Sequence, residues 1–210
     1  MITFVKIAFM FAAGSMFGWF IELFYRRFFD PTNPERKWLN PGFLAGPYLP
    51  IYGFVLLLLY DLDRFERFLP FSDMLVRKAV IVLIMSSCIT VMEYLTGLLF
   101  IRKLKIMLWD YSQFRGNIHG IICPLYTFFW VVLSVFYCLV IDSAVSYAAN
   151  MLTNDIRYSL FVAVFYGALL LDLGTSVRKH RFDIRSGKQI DVPTFEERPV
   201  IQLFRGNNRG

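Results

Sequence analysis

The sequence predicts an all-α integral membrane protein of about five transmembrane helices, with a broken or re-entrant lead-in to the second and a parallel internal repeat. Three observations lead there. First, 57% of the 210 residues are hydrophobic and 18% aromatic, and the mean hydropathy is +0.51. That is more apolar surface than a soluble domain of this length can bury. Second, five long runs are almost free of charge: Met1 to Ile21, Trp38 to Tyr60, Ala79 to Ile101, Gly116 to Ile141 and Tyr158 to Val177. A crossing takes roughly 20 residues, so each run supplies one span. Third, acids stand in or beside three of these runs, at Glu22, Glu93 and Asp172. A carboxylate facing hydrocarbon is costly, so each acid is expected to face protein or water.

The first run has Lys6 ahead of an apolar stretch, but it lacks an A-x-A-like exit and closes on Trp19, Glu22, Tyr25 and Arg26. It reads as a retained span rather than a signal peptide. The second opens on Asn40-Pro-Gly-Phe-Leu-Ala-Gly-Pro-Tyr-Leu-Pro-Ile-Tyr-Gly53, which carries Pro41, Pro47, Pro50, Gly42, Gly46 and Gly53. Proline removes a backbone donor and glycine loosens the helix, so a plain helix is not expected there. Either the stretch re-enters the membrane buried in protein, or it is a loop with a short helix starting near Pro50.

Lysine and arginine set the orientation. Arg26, Arg27, Arg36, Lys37, Arg102, Lys103, Lys105, Arg115 and the cations after Val177 fall on one side. Fewer fall on the other, and Asp142 to Asp155 has none. The positive-inside bias then places the N-terminus outside and the C-terminus in the cytoplasm. The expected division is a transmembrane domain, 1–177, and a basic flexible tail, 178–210. The formal net charge of +6 suits membrane lipids as partners. Because the cations flank spans instead of forming one basic face, nucleic acid is not an expected partner.

Cys88, Cys123 and Cys138 lie inside runs, without paired or metal-ligand spacing, and read as packing residues. The two histidines, His119 and His180, stand alone, so neither a metal nor any other cofactor is expected. No phosphate-binding loop with a Lys-Ser or Lys-Thr ending is present, so any ATPase working with this chain would be a separate cytoplasmic subunit. No Gly-x-Ser-x-Gly nucleophile motif occurs either, and no catalytic residue is assigned.

One plan occurs twice. Glu22 is followed by Trp38 and then Gly46-x-x-x-Pro50-Ile-Tyr52; Glu93 is followed by Trp109 and then Gly120-x-x-x-Pro124-Leu-Tyr126. Both copies run outside to inside and back, which makes the repeat parallel. The acids also sit on small-residue stripes. Gly14, Gly18 and Glu22 share a helical face, as do Ser86, Thr90, Glu93 and Gly97, and Ala168, Asp172, Thr175 and Ser176. Glu22 can pair with Arg26 one turn on. Asp172, shortly before Arg178 and Lys179, reads as an interfacial cap. Polar groups concentrate again in Trp109-Asp-Tyr-Ser-Gln-Phe-Arg-Gly-Asn-Ile-His119. The candidate substrate or ion-binding set is Glu22, Asn40, Tyr48, Tyr52, Glu93, Trp109, Asp110, Tyr111, Asn117 and His119. Gly14, Gly18, Trp19, Gly42, Gly46, Pro47, Pro50, Gly53, Gly120 and Pro124 form the structural motif.

Several of these strings resemble a known family. Gly18-Trp19-x-x-Glu22, the Asn40 to Phe54 string, Glu93-x-x-x-Gly97, Trp109-Asp-Tyr-Ser112 and Asn117-x-x-Gly120 are similar to the bacterial ABC-transporter type IV (CmpB-like) family, over roughly Gly14 to Trp130. The resemblance implies a permease. Pro41 stands where that family usually has a basic residue and Leu49 where it often has Cys, so a contact made by that basic residue would be missing here. The leading expectation is a permease component for a small polar or lipid-linked solute, with Glu22 and Glu93 as proton, cation or substrate partners. Two alternatives stand beside it. One is an intramembrane enzyme acting on a lipid headgroup through Glu93, Asp110 or His119. The other is a non-catalytic assembly protein that recruits a cytoplasmic partner through Phe182 to Gly210; a homo-oligomer is open under each of the three readings.

Overall fold

A computed structural model describes residues 2–30, 33–151, 156–186 and 201–202. Among them four helices are long and apolar enough to cross a membrane: Phe4–Phe28, Met74–Leu104, Pro124–Ala148 and Arg157–Asp183. The chain is a multi-pass helical membrane protein. Ser15, Ser86, Glu93 and Ser134 are buried, while Phe4, Leu139 and Leu171 are each more than 70% exposed. Hydrocarbon is the solvent that suits polar groups inside and large apolar groups outside. Contacts divide the chain into two units, Met1–Tyr60 with Asp142–Lys188, and Asp61–Ile141 with Gln189–Gly210.

The first unit holds α1 (Ile2–Phe28), most of α2 (Pro50–Phe65), α5 (Asp142–Met151) and α6 (Ile156–Arg185). Of the five expected spans, the second is the one that falls short. Residues 39–49 are not helical, and α2 begins at Pro50 with 16 residues, fewer than the roughly 20 of a crossing. The physical cause is the proline and glycine content of the lead-in, whose backbone groups find other partners. Pro50 itself suits the first helical position, because its missing N–H would be unsatisfied there in any case. α1 and α2 meet at glycines. A Cβ on Gly14 would lie 2.9 Å from Leu56 Cβ, and one on Gly18 would overlap the Tyr52 side chain. On the facing helix, a Cβ on Gly53 would overlap Ser15 and the Phe11 carbonyl. α6 continues past Val177 into the basic segment as far as Arg185.

The second unit is built on α3 (Met74–Leu99) and α4 (Pro124–Phe136). Asp73 caps α3, its Oδ1 accepting from the Leu75 and Val76 amides at 2.7 and 3.2 Å. Within α3, Lys78 pairs with Asp63 and Glu66 from ahead of the cap. α3 ends in a π-helical turn, Phe100–Leu104, that closes on Lys105 in the left-handed conformation. α4 starts at Pro124, and a π-helical turn, Tyr137–Ile141, joins it to α5. β1 (Asn117–Ile118) pairs antiparallel with β2 (Ile201–Gln202), two residues of the C-terminal segment. Of the tail expected to be flexible, 178–210, residues as far as Arg185 continue α6, and apart from Ser186, Ile201 and Gln202 the rest lies outside the described residues.

Candidate functional site

In the second unit, α3 presents Glu93 and Tyr94 side by side, and the non-helical stretch between Lys105 and Cys123 folds back onto them. Glu93 is 3% exposed. Its Oε1 accepts from the Tyr111 hydroxyl at 3.1 Å and its Oε2 from the Trp130 indole N–H, on α4, at 2.8 Å. The Tyr111 ring is fixed from behind by Tyr126, stacked with centroids 4.0 Å apart and planes at 9°. One turn along, Gly97 leaves space for Ile121, which a Cβ would overlap. The Trp109 indole N–H donates to the Ile121 carbonyl at 2.8 Å. A buried carboxylate is tolerable only when donors replace its lost water, and a phenol and an indole do so here.

The loop is held by its own side chains as well. Asn117 is buried; its amide donates to the Phe114 carbonyl at 2.8 Å and the Ser112 carbonyl at 3.3 Å, and accepts from the Gly120 amide at 3.0 Å. His119 takes φ +53°, a left-handed conformation uncommon for a ring-bearing residue. That turn places its Nδ1 2.9 Å from the Tyr94 hydroxyl, with the rings 5.9 Å apart. Asp110 is exposed and closes a local turn by accepting from the Ser112 amide at 2.9 Å.

In the first unit the arrangement differs. Glu22 Oε2 accepts from the Tyr52 hydroxyl at 3.1 Å, and Glu22 Oε1 lies 3.4 Å from the Arg26 guanidinium. The Trp19 indole donates to Asn40 Oδ1 at 2.8 Å, while the Asn40 amide donates to the Leu44 carbonyl at 2.6 Å. The Leu49 amide donates to the Ser15 carbonyl at 2.9 Å, stitching the lead-in to α1. Asp172 makes the densest cluster. Its Oδ1 accepts from the Ala45 amide at 3.2 Å and the Ser176 hydroxyl at 3.1 Å; its Oδ2 accepts from the Gly46 amide at 2.8 Å and the Tyr48 hydroxyl at 2.7 Å. Burial, reinforced by the bond to Asp172 and its charge, pushes the Tyr48 phenol up from 10.0 to about 12. Tyr48 therefore remains a donor across the physiological range.

The sequence-derived set thus separates into two groups. Glu93, Trp109, Asp110, Tyr111, Asn117 and His119 share the second unit, where Glu93 and Tyr111 touch directly. Glu22, Asn40, Tyr48 and Tyr52 share the first, where Glu22 and Tyr52 touch. Trp130 and Tyr94 were not singled out. A tryptophan in an apolar run was a usable signal for Trp130, since a buried indole N–H needs an acceptor. Asp172 was noted as an interfacial cap, yet its bonds reach back 124 to 127 residues to the lead-in. Among the described residues, no group of three His, Cys, Asp or Glu is placed to hold a metal ion.

A family model described as Putative ABC-transporter type IV matches residues 9–177. The chain belongs to that family. The match spans both acid clusters and reaches Asp172, and it stops where the basic extension of α6 begins. No curated protein and no solved structure matches this member of the ABC-transporter type IV family.

Proposed function

We propose that this protein is a permease component that moves a small polar or lipid-linked solute across the bacterial inner membrane, working with an ATPase that is a separate polypeptide. The observation that carries the reading is Glu93: a carboxylate buried within a membrane-crossing helix and met by a phenol and an indole from elements that fold against it. An ionisable group kept at such a depth is expensive, and such groups mark solute and ion pathways. Non-helical backbone packed against membrane helices, as in 39–49 and 105–123, is the usual setting of a transporter site.

A parallel repeat supports the same reading. Ser15 and Ser86 are both buried, each seven residues before its acid, and Pro50 and Pro124 each open a helix. The two copies diverge at the matched tyrosines, because Tyr52 bonds its acid whereas Tyr126 stacks on Tyr111, which bonds Glu93 instead. In this reading the N-terminus is outside, and the C-terminus, with both lead-in stretches, faces the cytoplasm.

The experiment is native mass spectrometry with lipidomics of the purified full-length protein, compared with Glu93→Gln and Glu93→Leu. A solute that co-purifies with the parent should be lost from Glu93→Gln while that variant inserts and folds, because the amide keeps the shape and removes the charge. Retention of the solute by both variants would remove Glu93 from the site. A second reading, a non-catalytic assembly protein, draws on the fact that Asn40, Asn117, Trp109 and Asp172 direct polar groups to the chain's own backbone. It gains if Glu93→Gln is indistinguishable from the parent and Glu93→Leu fails to fold.

A further inference from the structure

The lead-in to α2 carries several polar groups without helical hydrogen bonding, and the carboxylate that meets them comes from the far end of the sequence. Leu44 and Tyr48 pack into a core with Phe11 and Ala12 of α1 and with Phe165 and Leu169 of α6. Packing alone does not fix the loop's backbone, because two successive amides, Ala45 and Gly46, point away from any helix or strand partner. Both amides end on Asp172, and the Tyr48 hydroxyl joins them. Ser176, one turn beyond Asp172, holds the carboxylate in that orientation from its own helix. Each carboxylate oxygen thus takes two donors, one geometry that neither an amide nor a water could reproduce in full. The Gly46 position is also closed to larger residues, since a Cβ there would overlap the Tyr48 ring.

We propose that Asp172 is the latch of the 40–49 segment: a positioning residue on α6 whose charge keeps the polar lead-in of the first unit closed against α1 and α6. Opening the segment means that α6 gives up its bonds to Ala45, Gly46 and Tyr48 together, so the segment moves as a unit or not at all. α6 is one uninterrupted helix from Ile156 to Arg185, so the latch is joined rigidly to the cations Arg178, Lys179, Arg181 and Arg185 beyond it. This goes beyond the permease reading and holds whatever the solute is, because it concerns exposure of the segment rather than what passes it.

The test follows thiol labelling by a water-soluble maleimide on full-length protein in lipid nanodiscs, with Cys88, Cys123 and Cys138 replaced by Ala. The reporter is Leu44→Cys, at a position 6% exposed in the closed segment. A second reporter, Ile121→Cys, is 1% exposed and belongs to the other unit. Adding Asp172→Asn should speed labelling at Leu44→Cys about tenfold and leave Ile121→Cys unchanged, as expected when charge-assisted bonds are replaced by weaker neutral ones. Tyr48→Phe, which removes one donor of the set and keeps the packing, should give a rise of about threefold. An unchanged rate at Leu44→Cys with Asp172→Asn would overturn the latch. Equal acceleration at both reporters would overturn it as well, since Asp172 would then stabilise the whole protein instead of one segment.

Discussion

Adding one methyl group at Gly18 should be among the most damaging small changes in this protein. A Cβ at that position overlaps Cβ, Cγ and Cδ1 of Tyr52. Because the overlap includes Tyr52 Cβ, turning the ring cannot relieve it, and α2 must shift. Overpacking of this kind costs about 1–3 kcal/mol. The shift also pulls the Tyr52 hydroxyl from Glu22, now 3.1 Å away. A hydrogen bond to a charged group contributes roughly 1.5–3 kcal/mol. Replacing a mid-helix glycine by alanine returns about 1 kcal/mol, leaving a net loss of roughly 1.5–5 kcal/mol for Gly18→Ala. Reversible unfolding in mixed detergent and SDS measures it. Gly167→Ala and Gly174→Ala provide the contrast, because a Cβ at either glycine meets nothing within 4 Å. Both should be neutral or stabilising by up to about 1 kcal/mol. The explanation is refuted if Gly18→Ala is neutral, or if its cost is undiminished in a Tyr52→Gly background, where no Cβ remains to clash.

Ser143→Cys should label from outside intact cells and Ser112→Cys only after permeabilisation; external labelling of Ser112→Cys would invert the orientation. Asn117→Ala removes three bonds inside the loop and should cost about 3 kcal/mol, with faster amide exchange at Gly120 as the local readout. Tyr48 should ionise near 12 in an ultraviolet titration, as a step missing from Tyr48→Phe. Since its folded value is raised, its contribution to stability is complete below 10.0 and is lost as the pH climbs toward about 12. Asp172→Asn should lower that step while leaving it above the ordinary phenol value, because burial is the larger cause.

The helical membrane class was legible in the sequence because hydropathy over long runs is additive and needs no partner to be read. Spans one, three, four and five followed from it. Span two did not follow at full length, but its prolines and glycines were legible as helix breakers, and the structure matches the reading of a loop with a short helix starting near Pro50. The pairing of Glu22 with Arg26 was readable as a neighbour one helical turn away. The bond from Trp130 to Glu93 and the reach of Asp172 to Ala45 were not, because each depends on how separate helices are placed, which periodicity within one helix does not encode. Trp109 and Asn117 were named as candidate substrate or ion-binding residues. Their spacing did not show that Trp109 anchors the Ile121 carbonyl or that Asn117 ties the loop to itself.

The shortness of α2 bears on the bilayer itself. At about 1.5 Å per residue, its 16 residues extend roughly 24 Å, against roughly 40 Å for the 27 residues of α1. The hydrocarbon layer is roughly 30 Å thick, so α2 alone is several Å too short to bridge it. Acyl chains answer such a mismatch by compressing, which draws headgroups and their water inward beside a short span. A helix of 16 residues therefore bridges a bilayer only where the hydrocarbon is locally thinner, whereas the 27 residues of α1 reach across it with length to spare.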